Sequence, residues 1–158
     1  MTTQQLFESH ATRTRLGVLA WPELEGEDLP TTGRHDPRSL YVEMFWLPVL
    51  GPSSLLLLRR LAQRFDAEPR GFEIDCAQLS REIGLGPRLT PRAPFVRTVD
   101  RCIKFQLATL SGDLLHVRRT MPNLTSGQQR ALTEPLRRRH AMHTSPNPRV
   151  RPVPAASG

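Results

Sequence analysis

The sequence predicts an α+β domain, mainly α-helical with one small β-hairpin, and three observations carry that reading. Apolar residues recur at helical spacing in several segments between residues 39 and 143. A stretch of alternating apolar and polar residues, Leu114–Arg119, follows a Ser111-Gly112-Asp113 turn. The flanking stretches, 1–38 and 144–158, show no sustained period. The folded unit is therefore expected over 39–143, about 100 residues, an ordinary size for one domain.

Taken in order, the first 38 residues are predicted to be a flexible segment. Their one apolar island is Leu16–Trp21, and Glu23, Glu25, Glu27 and Asp28 follow it. Ser39 can cap a helix reaching about Leu47, with Tyr41, Met44 and Phe45 on its buried side. Gly51-Pro52 breaks that helix and restarts it, because proline suits a first helical position. The restarted helix, Ser53–Phe65, carries Leu55–Leu58, Leu61, Ala62 and Phe65 and is expected to be central. Phe72 and Ile74 fall on one side of a short strand.

Asp75 is placed to N-cap a helix over Cys76–Ile83 that Gly84 ends. A loop, Leu85–Ala93, leads to a helix over Pro94–Ala108. The hairpin over 107–119 comes next, and then a capping-box pattern at Thr125/Ser126 with Gln128/Gln129. That pattern predicts a terminal helix kinked or shortened at Pro135. The final Pro-rich stretch, 144–158, is expected to be a disordered tail.

Charge is distributed unevenly. The chain has 22 basic and 15 acidic residues, and Lys104 is its only lysine. Residues 1–75 carry 8 basic and 11 acidic groups, a net −3, whereas residues 76–158 carry 14 and 4, a net +10. A basic half of this kind suits a polyanionic partner. Cys76 and Cys102 are too few for a disulfide scaffold or a four-ligand zinc site. The apolar stretch Met44–Leu58 is too short and too broken to span a bilayer. No phosphate-binding glycine loop, dinucleotide fingerprint or catalytic constellation is present, and His140 and His143 lack companion ligands. The expectation is a non-enzyme that needs no cofactor or metal, cytoplasmic and, if DNA-binding, nucleoid-associated.

The segment Ala77-Gln78-Leu79-Ser80-Arg81-Glu82-Ile83-Gly84-Leu85-Gly86, followed by a helix and a hairpin, resembles the winged helix-turn-helix superfamily, in particular small actinobacterial-type members. Leu79, Ser80, Ile83 and Gly84-Leu85 fill the apolar, small, apolar and Gly-apolar places of that motif. The loop of about nine residues is longer than the family's usual turn. The resemblance implies a DNA-binding protein, a transcriptional regulator, with helix 94–108 in the major groove and hairpin 107–119 as a wing on the backbone.

On a helical wheel with Val96 at 0°, Val99, Ile103 and Leu107 fall at about 300°, 340° and 20°. Arg97, Thr98, Arg101 and Lys104 fall at about 100°, 200°, 140° and 80°. The first set is the expected core stripe and the second the expected DNA face, with Arg and Lys suited to guanine edges and Thr to phosphate or a thymine methyl. The same face also suits the solvated side of an ordinary amphipathic helix. Arg118 and Arg119 are the expected wing contacts, and Arg88 and Arg92 the loop contacts to phosphate. The alternative is a winged-helix module that docks on a transcription or replication protein, with acidic–apolar Gly17–Asp28 folding either onto that partner or onto its own domain. The Leu-rich and terminal helices suit a homodimer interface as well as monomer core.

Overall fold

Four short strands from distant parts of the chain meet in one sheet in a computed structural model, which describes residues 3–9, 15–21 and 33–145. The strands are β1 (Arg15–Ala20), β2 (Phe72–Asp75), β3 (Ala108–Ser111) and β4 (Leu114–Val117), in the spatial order β2-β1-β4-β3. β1 pairs antiparallel with β2, from Arg15 opposite Asp75 to Val18 opposite Phe72. On its other side it runs parallel to β4, with Gly17 opposite Leu114 and Ala20 opposite Val117. The protein is thus α+β, and its sheet is larger than a hairpin.

The expectation for the N-terminal segment allows docking of Leu16–Trp21 alone, and the described residues pack more widely than that. Arg15–Ala20 is an interior strand, with Val18 fully buried and Leu16 nearly so. Helix α1 (Thr3–Ser9) buries Leu6 and Phe7 and packs on α5. The loop beyond Gly33 is tied down too, because His35 and Met121 exchange backbone hydrogen bonds of 2.8 and 2.7 Å. The acidic residues 23–28 and the tail from 146 onward lie outside the described residues.

The helix after Ser39 widens into a π-helical turn, Val42–Trp46, and runs on into α2 (Leu47–Leu50). Tyr41, Phe45 and Trp46 are buried, and the Trp46 indole N–H donates to the Pro122 carbonyl at 2.8 Å. Gly51, at φ 88° and ψ 160°, breaks the helix in a conformation costly for any residue with a Cβ. Pro52 starts α3 (Pro52–Ala67), whose Leu55, Leu57, Leu58, Leu61 and Phe65 form the centre of the core.

Asp75 caps α4 (Cys76–Glu82) by accepting from the Gln78 amide at 3.0 Å. Beyond it Ser80, fully buried, donates its hydroxyl to the Gly86 carbonyl, and its own carbonyl accepts from the Leu85 amide at 2.8 Å. Ser80 therefore shapes the turn as well as allowing close approach. The Cys76 and Cys102 thiols are buried, and desolvation pushes both up to about 12.

Helix α5 is Pro94–Lys104, shorter than the expected 94–108. Gln106 takes φ 58° and the Leu107 amide reaches back to the Cys102 carbonyl at 2.9 Å, a left-handed stop that the side-chain pattern does not signal. The expected antiparallel hairpin forms, but Ser111, expected in the turn, pairs with Leu114 as the last residue of β3, which leaves a two-residue turn, Gly112-Asp113. Gly112, at φ 61°, holds the first central position, which a type II′ turn reserves for glycine.

The Thr125/Gln128 capping box is present, with reciprocal bonds of 2.9 and 3.2 Å, but it opens only a 3-10 turn, Gln128–Ala131. Helix α6 starts afresh at Glu134 and runs to Thr144. Pro135 sits in its first turn, where no partner for its nitrogen is needed, so it begins the helix and does not kink it. Among the described residues no helix is long and apolar enough to cross a membrane.

Candidate nucleic-acid interface

The eight basic and polar residues singled out from the sequence do not share one face. α5 is packed against α3, β3 and α1, so a broad side of it is covered. Its buried set is Phe95, Val96, Thr98, Val99 and Cys102. Ile103, expected in the stripe, is only half-buried, and Leu107 is buried from beyond the helix end.

Thr98 is the clearest correction. It is 5% exposed, its hydroxyl donates to the Pro94 carbonyl at 2.8 Å, and its carbonyl accepts from Ser54 Oγ at 3.4 Å. The apolar stripe is centred farther round the helix than Val96, Val99 and Ile103 alone suggest. Phe95 and Cys102, at about 260° and 240° on the same wheel, draw Thr98 into the α3 contact.

Arg101 is committed elsewhere. Its Nε donates to the Leu50 carbonyl at 2.5 Å and its Nη2 to the Val49 carbonyl at 3.0 Å, satisfying the C-terminal end of α2. The guanidinium carbon also lies 5.5 Å from the Phe105 ring centroid. A helix leaves its last carbonyls unpaired, and Arg101 fills two of these places with charge-assisted bonds.

Arg97 and Lys104 are exposed as Arg101 is, but their side chains make no ion pair or hydrogen bond among the described residues. Both line a groove of about 560 Å³ between α5 and the start of α3, together with Gly51, Ser53, Arg101 and Asp100. Gly51 at the N-cap has no side chain to accept from the first turn, and no side-chain cap is formed there. Pro52 lacks an N–H and the Leu55 amide is bonded to the Gly51 carbonyl at 3.2 Å. Ser53 and Ser54 therefore contribute the first-turn amides beside the cations, at the positive end of a 16-residue helix. Sequence reasoning missed this α3 contribution, although an uncapped Gly-Pro-Ser-Ser helix start was a readable signal.

Arg88 and Arg92 are exposed on the loop that leads into α5. The hairpin arginines stand apart. Arg118 is half-buried, donating from Nε to the Gln106 carbonyl at 2.7 Å with its guanidinium 4.6 Å from the Trp21 ring centroid. Arg119 lies 5.4 Å from the Phe65 ring centroid and lines a shallow pocket with Asp36, Arg38 and Asp66. Arg38 holds both of these carboxylates below the usual range through direct hydrogen bonds. That pocket is at the C-terminal half of α3 and the groove at its N-terminus, roughly 15 Å away at 1.5 Å per residue. Neither arginine is at the hairpin tip, and β1 fills the space beside β4, so the two do not form the basic wing expected from the sequence.

No family model matches the chain, and neither a curated protein nor a solved structure matches it.

Proposed function

We propose that the chain binds double-stranded DNA through the phosphate backbone, using the groove between α5 and the N-terminus of α3. One observation carries this reading: among the described residues the side chains of Arg97 and Lys104 are unpaired, and they stand beside an uncapped helix start. Such an N-terminus presents amides and a partial positive charge to an anion, and two cations next to it suit a polyphosphate better than a neutral ligand. Arg88 and Arg92 extend the basic surface along the loop before α5, and the net +10 of residues 76–158 supplies long-range attraction. Asp100 contributes one opposing charge to the groove.

The contact is one of position more than of sequence. Thr98 is buried and Arg101 is bound to carbonyls, so two of the four side chains expected to read base edges are otherwise engaged. Phosphate contacts remain, and these fix register without discriminating sequence. A nucleoid-type or accessory regulatory role fits such binding better than recognition of one operator. The alternative of a protein partner captured by Gly17–Asp28 loses support at its start, because Gly17 and Val18 are paired on both edges within the sheet and Leu19 and Ala20 with β4.

Fluorescence anisotropy of a labelled random duplex tests the proposal. Affinity should fall steeply between about 50 and 200 mM salt, as counterion release requires. Absence of binding, or binding indifferent to salt, overturns it.

A further inference from the structure

Helix α6 is very polar, and among the described residues its only buried side chain is His140, 3% exposed. An ionisable group thus anchors the helix where an apolar one is the rule. The anchor contacts the π-helical turn. The Tyr41 hydroxyl lies 2.8 Å from His140 Nε2, and the same oxygen receives the Leu124 amide at 2.9 Å. The amide can only donate, so the Tyr41 oxygen accepts from it, and the arrangement that also uses the hydroxyl proton sends that proton to His140. Nε2 is then the bare nitrogen, and the ring is the neutral form protonated at Nδ1.

The groups that face this pair come from every element packed against it. From α6 itself, His143 lies 5.5 Å from Tyr41 and 5.9 Å from Phe45, centroid to centroid. From the segment before the π-helical turn, His35 stacks on Tyr41 at 3.6 Å and 11°. The 121–124 segment supplies Asn123, whose Oδ1 is 2.7 Å from His35 Nε2, and the Leu124 amide, both uncharged. The π-helical turn supplies Tyr41 and the apolar Phe45, whose ring centroid is 5.0 Å from that of His140. The titratable neighbours that act on His140 are therefore other histidines, and among the described residues no carboxylate acts on it.

We propose that α6 is held by a proton-sensitive clamp: neutral His140, bonded to Tyr41, keeps the helix on the body, and protonation of His140 releases it. An imidazolium would present an N–H to an oxygen already bonded by an amide, stranding the buried hydroxyl proton. It would also place a cation beside His35 and His143. Burial first, and then those two rings, lower the proton affinity of the docked His140 below the ordinary histidine value. The sign follows. Docking is fully favoured above the ordinary value of about 6.5. It is lost as pH falls through the interval between that value and the lowered one, because the released helix binds the extra proton. Release frees Arg137, Arg138 and Arg139 together with the helix, and uncovers the Tyr41–Phe45 surface. The clamp is independent of whether DNA is the ligand.

Hydrogen exchange on the full chain tests the clamp, with rates corrected for the intrinsic pH dependence. Amides from Arg137 to Ser145 should be protected near pH 7.5 and lose protection toward about pH 5, by up to tenfold per pH unit within the window. The β1–β4 ladder should keep its protection. His140→Gln, whose side-chain carbonyl can accept the Tyr41 hydroxyl, should hold α6 docked at both pH values. In parallel, ring resonances of the wild-type chain should show His140 as the Nδ1–H form, titrating below the ordinary value. The proposal is overturned by unchanged α6 protection across this range, by an α6 unprotected at neutral pH, or by the same loss in His140→Gln. His140 titrating at or above the ordinary value also overturns it, and this decides the matter if the variant does not fold.

Discussion

Helices α5 and α6 are each 11 residues long, each carries a proline in its first turn, and each is basic. They differ in anchorage. α5 buries five side chains, including Phe95 and Val96 at zero exposure, whereas α6 buries one, and that one is a histidine. Arg137 and Arg138 lie 3.5 and 3.3 Å from Glu134 of their own helix. Arg97 and Lys104 face a neighbouring helix start instead. A count of arginines and lysines ranks the two helices equal, three each; rigidity and context rank α5 first. A backbone fixed on a packed helix places its cations before a phosphate arrives, so less backbone entropy is lost on binding.

The largest expected difference between the two helices is in stability. Phe95→Ala empties a fully buried site and should destabilise the fold by about 3–5 kcal/mol. His140→Ala should instead loosen α6 and move the main unfolding transition far less, as local opening of a weakly attached unit does. Denaturant titration followed by tryptophan fluorescence separates the two, since Trp46 is buried beneath the π-helical turn. Equal losses for both would mean that α6 belongs to the cooperative core.

A smaller effect separates neighbours within α5. Arg101→Ala removes two charge-assisted bonds to the end of α2 and should cost about 1.5–3 kcal/mol. Arg97→Ala, one turn earlier and exposed, should stay within about ±0.5 kcal/mol. Thermal melts of the two single variants check this, and equal melts would place Arg101 with the solvated residues.

Much of this division was hidden in the sequence for a physical reason. Features decided by neighbours a few residues apart were legible: the Asp75 cap reaches three residues, the Gly112 turn two strands joined by two residues, and the Gly51-Pro52 break lies within one helix. Features decided across the chain were not. Arg101 finds its carbonyls 51 and 52 residues away, and Arg15–Ala20 finds its partners in β2 and β4. On a single-helix wheel Arg97 and Arg101 look alike, and only the approach of α2 tells them apart. Thr98 was misplaced because the wheel was centred on its aliphatic residues and left out Phe95 and Cys102.

The smallest expected effect concerns the thiols. Cys76 and Cys102 should react very slowly with a thiol reagent in the folded state, both being buried and held as thiols. Rapid labelling of either without denaturant would show that the core opens near α4 or α5.

The central claim is that the cations of the firmly packed α5, and not the arginine run of α6, contact the phosphates. Duplex affinity measured at several salt concentrations tests it most directly, on the wild-type chain, Arg97→Ala/Lys104→Ala, and the triple variant of Arg137, Arg138 and Arg139 to Ala, each with a melting curve. The α5 variant should melt as wild type, bind more weakly on every duplex, and lose about 0.9 from the logarithmic salt slope for each contact removed. The α6 variant should keep most of the slope. A folded α5 variant that binds with wild-type affinity and slope, or a larger loss from the α6 variant, contradicts the claim.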